Sequence, residues 1–364
     1  MKIVVVGAGN AGSLTALHFA YHTDKNVEVE LIYDPTIPVQ PVGQATIVDA
    51  PQFLHETIGF NWYNNNIQAT FKSGILYNGW GKKQDEFFHS FSPAEMAMHY
   101  CPWVMQEAVL KSGWFKVTEG KVNNLDDIDA DYIFDCRGKP KDYSDYDELP
   151  NPTNACILGK PKWDLSHQHW SCHTATPDGW TFIIPTLKES PSHDYCVGYC
   201  YNSNITSKVD AEKNMLEMFD VEIKDHVYYK NYVAKNPVID DRIILNGNKL
   251  FFIEPMESSS VAGYLFWDRL IFEKIILNNG DMDLYCQEFI QYVKQLQTFI
   301  LMHYKSGSKY DTPFWNYAES LTYDDPIFES HLHRCRTSHM NTLREIAYGQ
   351  WPLMAVKRWL NYTE

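Results

Sequence analysis

The chain opens on a short unbroken apolar run, residues 2–6 in Met-Lys-Ile-Val-Val-Val-Gly, whose β-branched character predicts a strand covered on both faces. Gly-Ala-Gly-Asn-Ala-Gly follows at 7–12, and then residues 13–21 bring Leu14, Leu17 and Phe19 round at helical spacing. A second apolar run, 27–33, ends at Asp34, 22 residues beyond Gly12. Strand, glycine turn, helix and strand make a β-α-β unit, with an acid near the ~20-residue offset at which a carboxylate meets a ribose hydroxyl. Gly7 allows the tight turn, Gly9 lets backbone approach a pyrophosphate, and Gly12 lets helix and strand pack, so the pattern predicts dinucleotide binding.

Up to about residue 124, Pro, Gly and aromatic residues break the periodicity, which predicts an insertion carrying site residues and one helix at 92–111, started by Pro93 and Glu95. Residues 129–138 predict another strand of the first sheet. From 151 to 238 strand-like stretches such as 180–184 and 195–201 alternate with polar turns, as in an antiparallel sheet over a pocket. A strand at 250–254, Pro255 and a helix at 258–277 lead back toward the nucleotide, and the chain beyond Met282 reads as mostly helical. The expected architecture is α/β. A Rossmann-type domain occupies 1–140, with its insertion at about 40–124, a substrate-domain sheet spans 141–238, residues 239–280 return to the first domain, and 281–364 form a helical C-terminal part.

Charge and composition narrow the partners. With 46 acidic against 31 basic residues the formal charge is -15, and no Lys/Arg block offers a phosphate-binding surface, which argues against nucleic acid. Apolar runs fall far short of the ~20 residues of a membrane helix, and the opening strand leaves no room for a signal peptide. Eight cysteines without a Cys-x-x-Cys pair suit a reduced, cytoplasmic protein. The histidines at 167, 169 and 173 with Cys172, and those at 331, 333 and 339, lack zinc-site spacing, so no metal is expected.

Six blocks in order along the chain resemble the flavin-dependent halogenases of the tryptophan halogenase family. Val42-Gly43-Gln44-Ala45-Thr46 is similar to the family's Val-Gly-Glu-Ala-Thr loop, and residues 69–75, Ala-Thr-Phe-Lys-Ser-Gly-Ile, to the segment holding its active-site lysine. Phe88-His89-Ser90-Phe91 resembles a His-Pro-Phe stretch, residues 179–185 resemble Trp-x-Trp-x-Ile-Pro, residues 254–259 resemble Glu-Pro-Leu-Glu-Ser-Thr, and residues 310–315 match a late block. Phe182 replaces the second Trp, Gln44 a Glu, Gly247-Asn248 a Gly-Asp pair, and Asp34 lies one place past the family's acid, where Tyr33 falls.

What the resemblance implies is FAD as cofactor, reduced by a separate flavin reductase, and a halide as co-substrate, so that dioxygen and halide yield hypohalous acid for a small aromatic substrate. Lys72 would hold or carry the halogen, and the apolar Phe71 and Ile75 around it predict a partly buried strand in which a bare ammonium is costly. Glu257 would stabilise positive charge on the ring, although an acid just before a helix also suits that helix's dipole. Trp180 and Phe182 would wall the flavin from the substrate, while His89, Phe91, Pro185, Ser258 and Ser259 would line the halide and substrate site. Gly7, Gly9, Asn10, Ala11, Gly12, Asp34, Ala45, Gly247, Glu254 and Pro255 would surround FAD. This chain ends sooner than typical members, which implies a shortened helical cap and makes tryptophan an unexpected substrate; a homo-oligomer stays open. The alternatives are a flavin monooxygenase on the same fold and, less in keeping with the Lys72 and Glu257 blocks, a non-catalytic nucleotide-binding protein.

Overall fold

The opening apolar run is the strand Lys2–Val6, and it lies inside a six-stranded sheet. Its neighbours are Glu28–Tyr33 on one side and Tyr132–Asp135 on the other, both parallel to it, with Val6 opposite Ile32 and Val5 opposite Phe134. Lys116–Glu119 extends one edge and Ile243–Leu245 with Val238–Ile239 the other. The helix Asn10–His22 covers one face, burying Leu14, Leu17 and Phe19 against Ile3, Val5 and Leu31. The computed structural model describes residues 1–46, 48, 50–91, 96–322, 325–348 and 351–364.

A seven-stranded sheet makes the second layer, in the order Val221–Tyr228, Ala155–Pro161, Val197–Tyr201, Gly179–Ile183, Ser171–Thr176, Gly74–Asn78 and Glu86–Ser90. It is antiparallel except where Ser171–Thr176 runs parallel to Gly74–Asn78. Two of its strands therefore come from the expected insertion, not from 141–238. That stretch in turn sends Tyr146–Glu148 and Tyr232–Ala234 to a separate three-stranded sheet with Phe251–Phe252. The helix expected at 92–111 needs correction: 92–95 lie outside the described residues, Ala97–Tyr100 is a strand, and the helix is Pro102–Leu110. The strand prevails because it pairs with both Gln44–Ala45 and Thr70–Lys72 and is buried at all four positions, while Pro102 supplies the helix start. Beyond residue 281 come the helices Met282–Lys305, Pro313–Ser320, Pro326–Thr337 and Leu353–Thr363, with a small hairpin of Ile346–Tyr348 and Trp351–Pro352. Among the described residues no helix is long and apolar enough to cross a membrane.

A buried polar network ties the returning chain to the opening helix. Thr15 donates to Asp268 at 3.1 Å, and Asn246 Nδ2 donates to Thr15 at 2.9 Å and to Asp268 at 3.0 Å. All three side chains are fully buried, and burial pushes the Asp268 carboxyl well above its ordinary range despite these donors. Beside the network Gly247, at φ +62, passes so close to the helix that a Cβ there would meet Ala11 Cβ at 2.6 Å.

The three glycines of the first turn differ sharply in what surrounds them. A Cβ on Gly12 would stand 1.8 Å from the Gly7 carbonyl oxygen, and one on Gly7 2.7 Å from the Cys136 carbonyl oxygen, but one on Gly9 meets nothing within 4 Å. In urea unfolding Gly12→Ala is expected to lose about 2 kcal/mol or more, and Gly9→Ala to stay within about 1 kcal/mol of wild type. Equal losses at the two positions would show that the close helix packing is not what Gly12 provides.

Candidate active site

Gly9 caps the opening helix without a side-chain hydrogen bond, so the first-turn N–H groups are left to face a cleft of about 440 Å³. Gly7, Gly9, Asn10 and Ala11 form its middle. Toward one end lie Asp34, Lys121 and Arg137; Asp34 accepts from the hydroxyl and the backbone N–H of Thr36, at 2.6 and 2.9 Å, and both hold its carboxyl below the usual range. Toward the other end the walls turn apolar, with Leu158, Phe182, Tyr229 and Phe252 suited to a flat ring system. Gly247 and Pro255 also line the cleft. Gly12, Ala45 and Glu254 do not. Gly12 lies beneath the turn, Ala45 pairs with His99, and the Glu254 carboxylate is bound by Thr153 and by Tyr304 at 2.8 Å, with burial pushing it up to about 7.

Behind this cleft a second cluster forms around Lys72. The lysine ends the strand Thr70–Lys72, and its alternation sends Phe71 outward, 38% exposed and stacked on Trp62, while Lys72 points in and is wholly buried. The apolar neighbour that suggested burial thus lies on the opposite face. Nζ donates to the Thr46 carbonyl at 3.0 Å and to Ser258 Oγ at 2.8 Å, and sits 5.5 Å from the centre of the Phe91 ring. Ser258 follows the short turn Pro255–Glu257 in the left-handed region, φ +54, a conformation that costs a non-glycine residue about 1 kcal/mol or more and that aims the hydroxyl at Lys72.

Glu257 is equally buried. Oε1 accepts from the Tyr77 hydroxyl at 2.6 Å and lies 2.6 Å from His303 Nε2, off the axis of a straight hydrogen bond, while His303 Nδ1 meets the Phe299 carbonyl at 2.8 Å. Burial raises the Glu257 carboxyl, but His303, His89 and Tyr77 outweigh it and leave it below its ordinary value. Burial pushes Lys72 down to about 7, with Glu257 opposing, and lowers His89 to about 4 and His173 to about 3. Glu257 Oε2, both His89 nitrogens, His173 Nδ1 and Trp351 Nε1 are buried without a partner among the described residues, while the Trp180 indole N–H is turned to the Glu254 carboxylate. An orphaned buried polar atom costs roughly 1–3 kcal/mol. Together with one amine and one carboxylate they make a buried polar chamber.

Phe182 and Trp180 are in ring contact with each other. Phe182 lines the cleft, and its ring lies over Gly198, where a Cβ would fall 2.1 Å from Cζ. Trp180, on the same face of the strand, is 6.1 Å from Phe182 and 4.9 Å from His173, ring centre to ring centre. His89 and Phe91 both pack on Trp351, at 4.7 and 5.6 Å. Pro185 is buried and its carbonyl accepts from Thr70 at 2.8 Å, while Ser259 is buried at the start of the helix Ser260–Ile275.

A sequence profile of the tryptophan halogenases matches residues 2–138 and 143–353. The chain belongs to the tryptophan halogenase family. Tryptophan 7-halogenase RebH of Lentzea aerocolonigenes is 20% identical to it across 90% of this chain and 80% of that protein. Tryptophan 6-halogenase SttH of Streptomyces toxytricini is 30% identical over 25% of this chain and 17% of its own. The fold is shared with MibH, a tryptophan 5-halogenase, at a TM-score of 0.81 and 20% identity over 100% of this chain and 85% of that one. It is likewise shared with Xcc4156, a flavin-dependent halogenase from Xanthomonas campestris, at 0.80 and 16% over 98% and 88%.

In this tryptophan halogenase family member, four chamber residues escaped the sequence reading: Tyr77, His173, His303 and Trp351. Tyr77 had a signal, since Ile75 and Tyr77 alternate just after the Lys72 block and share one face. His173 entered the sequence analysis only in a histidine group without zinc-site spacing. His303 and Trp351 had none, being joined to the chamber by contacts over long sequence separations. Arg137, Tyr229 and Phe252 in the cleft were missed for the same reason.

Burial of Lys72 sets a test of the chamber. Between about pH 7 and its ordinary value of 10.5 the unfolded chain holds a proton on this amine that the folded chain does not, so its contribution to stability rises with pH across that window. Lys72→Met removes the penalty, and its gain over wild type in urea unfolding is expected to be largest near pH 6 and to shrink steadily toward pH 10. A difference that ignores pH would mean that the amine is not held out of water.

Proposed function

We propose that this chain is a flavin-dependent halogenase acting on a small aromatic substrate, with Lys72 and Glu257 as its catalytic residues. The observation that carries the reading is a fully buried lysine, lowered to about 7, near a buried carboxylate with one unpartnered oxygen, in a chain whose glycine-turn cleft is lined by Phe182. FAD fits the residues present: open space beside Gly9 for a pyrophosphate, unpaired helix N–H groups, Asp34 for a ribose and an apolar end for the isoalloxazine. Bound in its reduced form, the cofactor supplies the electrons with which dioxygen and halide yield hypohalous acid.

The chain's own residues then control where that oxidant goes. Phe182 and Trp180 keep the organic substrate off the flavin and leave only a path for something small. The bulk at position 182 suffices, because the ring already lies on Gly198. Two of the Lys72 hydrogen-bonding positions are taken by Thr46 and Ser258, so one direction remains. As an ammonium, Nζ donates its third N–H to the oxygen of hypohalous acid and polarises the halogen. As an amine, its lone pair takes the halogen while the O–halogen bond breaks, and the amine proton leaves with hydroxide as water. A value of about 7 keeps both forms populated near neutrality. Glu257 offers Oε2 to the positive charge that grows on the attacked ring and accepts the ring proton when aromaticity returns. His303 and Tyr77, both on Oε1, hold the carboxylate ionised and oriented for this.

The rival reading, a flavin monooxygenase, gives Lys72 and the partition no task. Eight free cysteines, seven of them buried, suit a reducing compartment, in keeping with a cytoplasmic enzyme.

Two outcomes are expected. Lys72→Ala retains FAD binding and dioxygen uptake from reduced FAD, but halogenated product by mass spectrometry falls about a thousandfold, the equivalent of ~4 kcal/mol. Product near the wild-type rate in the presence of a hypohalous acid scavenger would make Lys72 a bystander. Activity also depends on an added flavin reductase and NADH, and rapid NADH oxidation by the purified chain alone would sink the two-protein scheme.

A further inference from the structure

Next to the apolar end of the nucleotide cleft lies a buried carboxyl to which the halogenation chemistry gives no task. Glu254 is wholly buried and does not line the cleft, but Pro255, next in the chain, does, and so do Cys200 and Tyr229, whose ionisable groups face the carboxyl. Thr153 donates to Oε2, and Tyr304, from the helix Met282–Lys305, reaches both oxygens at 2.8 and 3.0 Å. The Asn151 amide and the Trp180 indole are turned toward the carboxyl, and the Glu254 backbone N–H donates to Asn231 Oδ1 at 2.7 Å. Tyr229 in turn donates to Thr153 at 2.7 Å, so two hydroxyls in succession join the cleft wall to the carboxyl.

All of these partners are neutral. Burial above all holds the Cys200 thiol and the Tyr229 and Tyr304 phenols well above their ordinary values, so none of them ionises near neutral pH. Among the described residues no lysine, arginine or histidine pairs with Glu254. Neutral donors make up only part of what a carboxylate loses on leaving water, and its value stands at about 7. The wall of the cleft therefore contains a group that changes charge near neutrality. Reduced flavin differs from oxidised flavin in carrying a negative charge on its ring in the same range, and a wall of low dielectric transmits the repulsion between like charges.

We infer that Glu254 governs the preference of the cleft for reduced over oxidised FAD. As a neutral acid it tolerates the anionic ring, as a carboxylate it repels it, and capture of reduced FAD draws a proton from solvent onto Glu254. It acts across the wall formed by Tyr229, Cys200 and Pro255 without touching the cofactor, so it is not a catalytic residue. The inference rests on the FAD reading of the cleft and is independent of the halogenation step.

Anaerobic calorimetry compares the binding of oxidised and of chemically reduced FAD to the full-length chain and to Glu254→Gln, at pH 6 and at pH 8. At pH 6, where the wild-type carboxyl is protonated, the two proteins are expected to bind reduced FAD equally. At pH 8 the wild type binds it about tenfold more weakly than Glu254→Gln, the order expected of one like-charge pair across a cleft wall at an effective dielectric of ~20. Oxidised FAD shows no such gap at either pH. A gap of the same size at both pH values would make Glu254 only a shaper of the wall, and this or the absence of any gap overturns the inference. Thr153→Val gives a second reading should Glu254→Gln not fold. It takes a donor from the carboxylate and raises its value, so the pH at which reduced FAD binding weakens moves upward from that of the wild type; an unmoved midpoint overturns the inference. A wild type that binds neither form of FAD overturns the FAD reading and this inference with it, whereas FAD binding without the pH-dependent gap counts against Glu254 alone.

Discussion

An amine with no access to water, bonded only to a carbonyl and a hydroxyl, is the constraint around which the rest of the molecule is arranged. Removing an ammonium from water costs several kcal/mol, and a chain tolerates this only where other parts of the fold make up the loss. The neighbouring carboxylate eases the cost but does not cancel it, which is why the amine's affinity for its proton drops into the neutral range. Glu257 in turn is kept below its ordinary value in the interior by His303, His89 and Tyr77, which together outweigh its burial. The left-handed turn at Ser258 is a third concession to the same need, since it brings a hydroxyl within 2.8 Å of Nζ. Each of these arrangements is unfavourable by itself. Together they hold an amine and a carboxylate in one site kept out of water.

The glycine turn and its two strands were legible because their logic is local: a β-branched run, three glycines and an acid at fixed offsets. The chamber was legible only in part. Lys72 and Glu257 stood out through short blocks similar to a family, but the residues that tune them come from positions 77, 173, 303 and 351, and nothing near them in sequence announces the meeting. The misplaced helix at 92–111 has the same origin. Pro93 and Glu95 form a sound local start signal, yet Ala97–Tyr100 gains backbone pairing on both sides, which no local signal records.

Departures from the family pattern are also local in form and structural in consequence. Phe182 is smaller than the tryptophan its block resembles, and its ring rests against a strand position that bears no side chain, Gly198. The sheet is thus closely packed at this position in spite of the smaller residue. Similarly, Asn248 and Asp34 both line the cleft even though each departs from the pattern.

The network of Thr15, Asn246 and Asp268 joins side chains separated by up to 253 positions, and it sits directly behind the first glycine turn. A ribosome makes Thr15 long before Asp268, so during synthesis the opening helix waits with its polar seam unmatched while more than half of the chain is still to come. The parallel pairing of residues 171–174 with 75–78 imposes a similar delay on the second sheet. The nucleotide domain of this protein is therefore not an early-folding module that later segments decorate, but a structure finished from its far end. A chain released after residue 140 would leave Thr15 without Asn246 and Asp268.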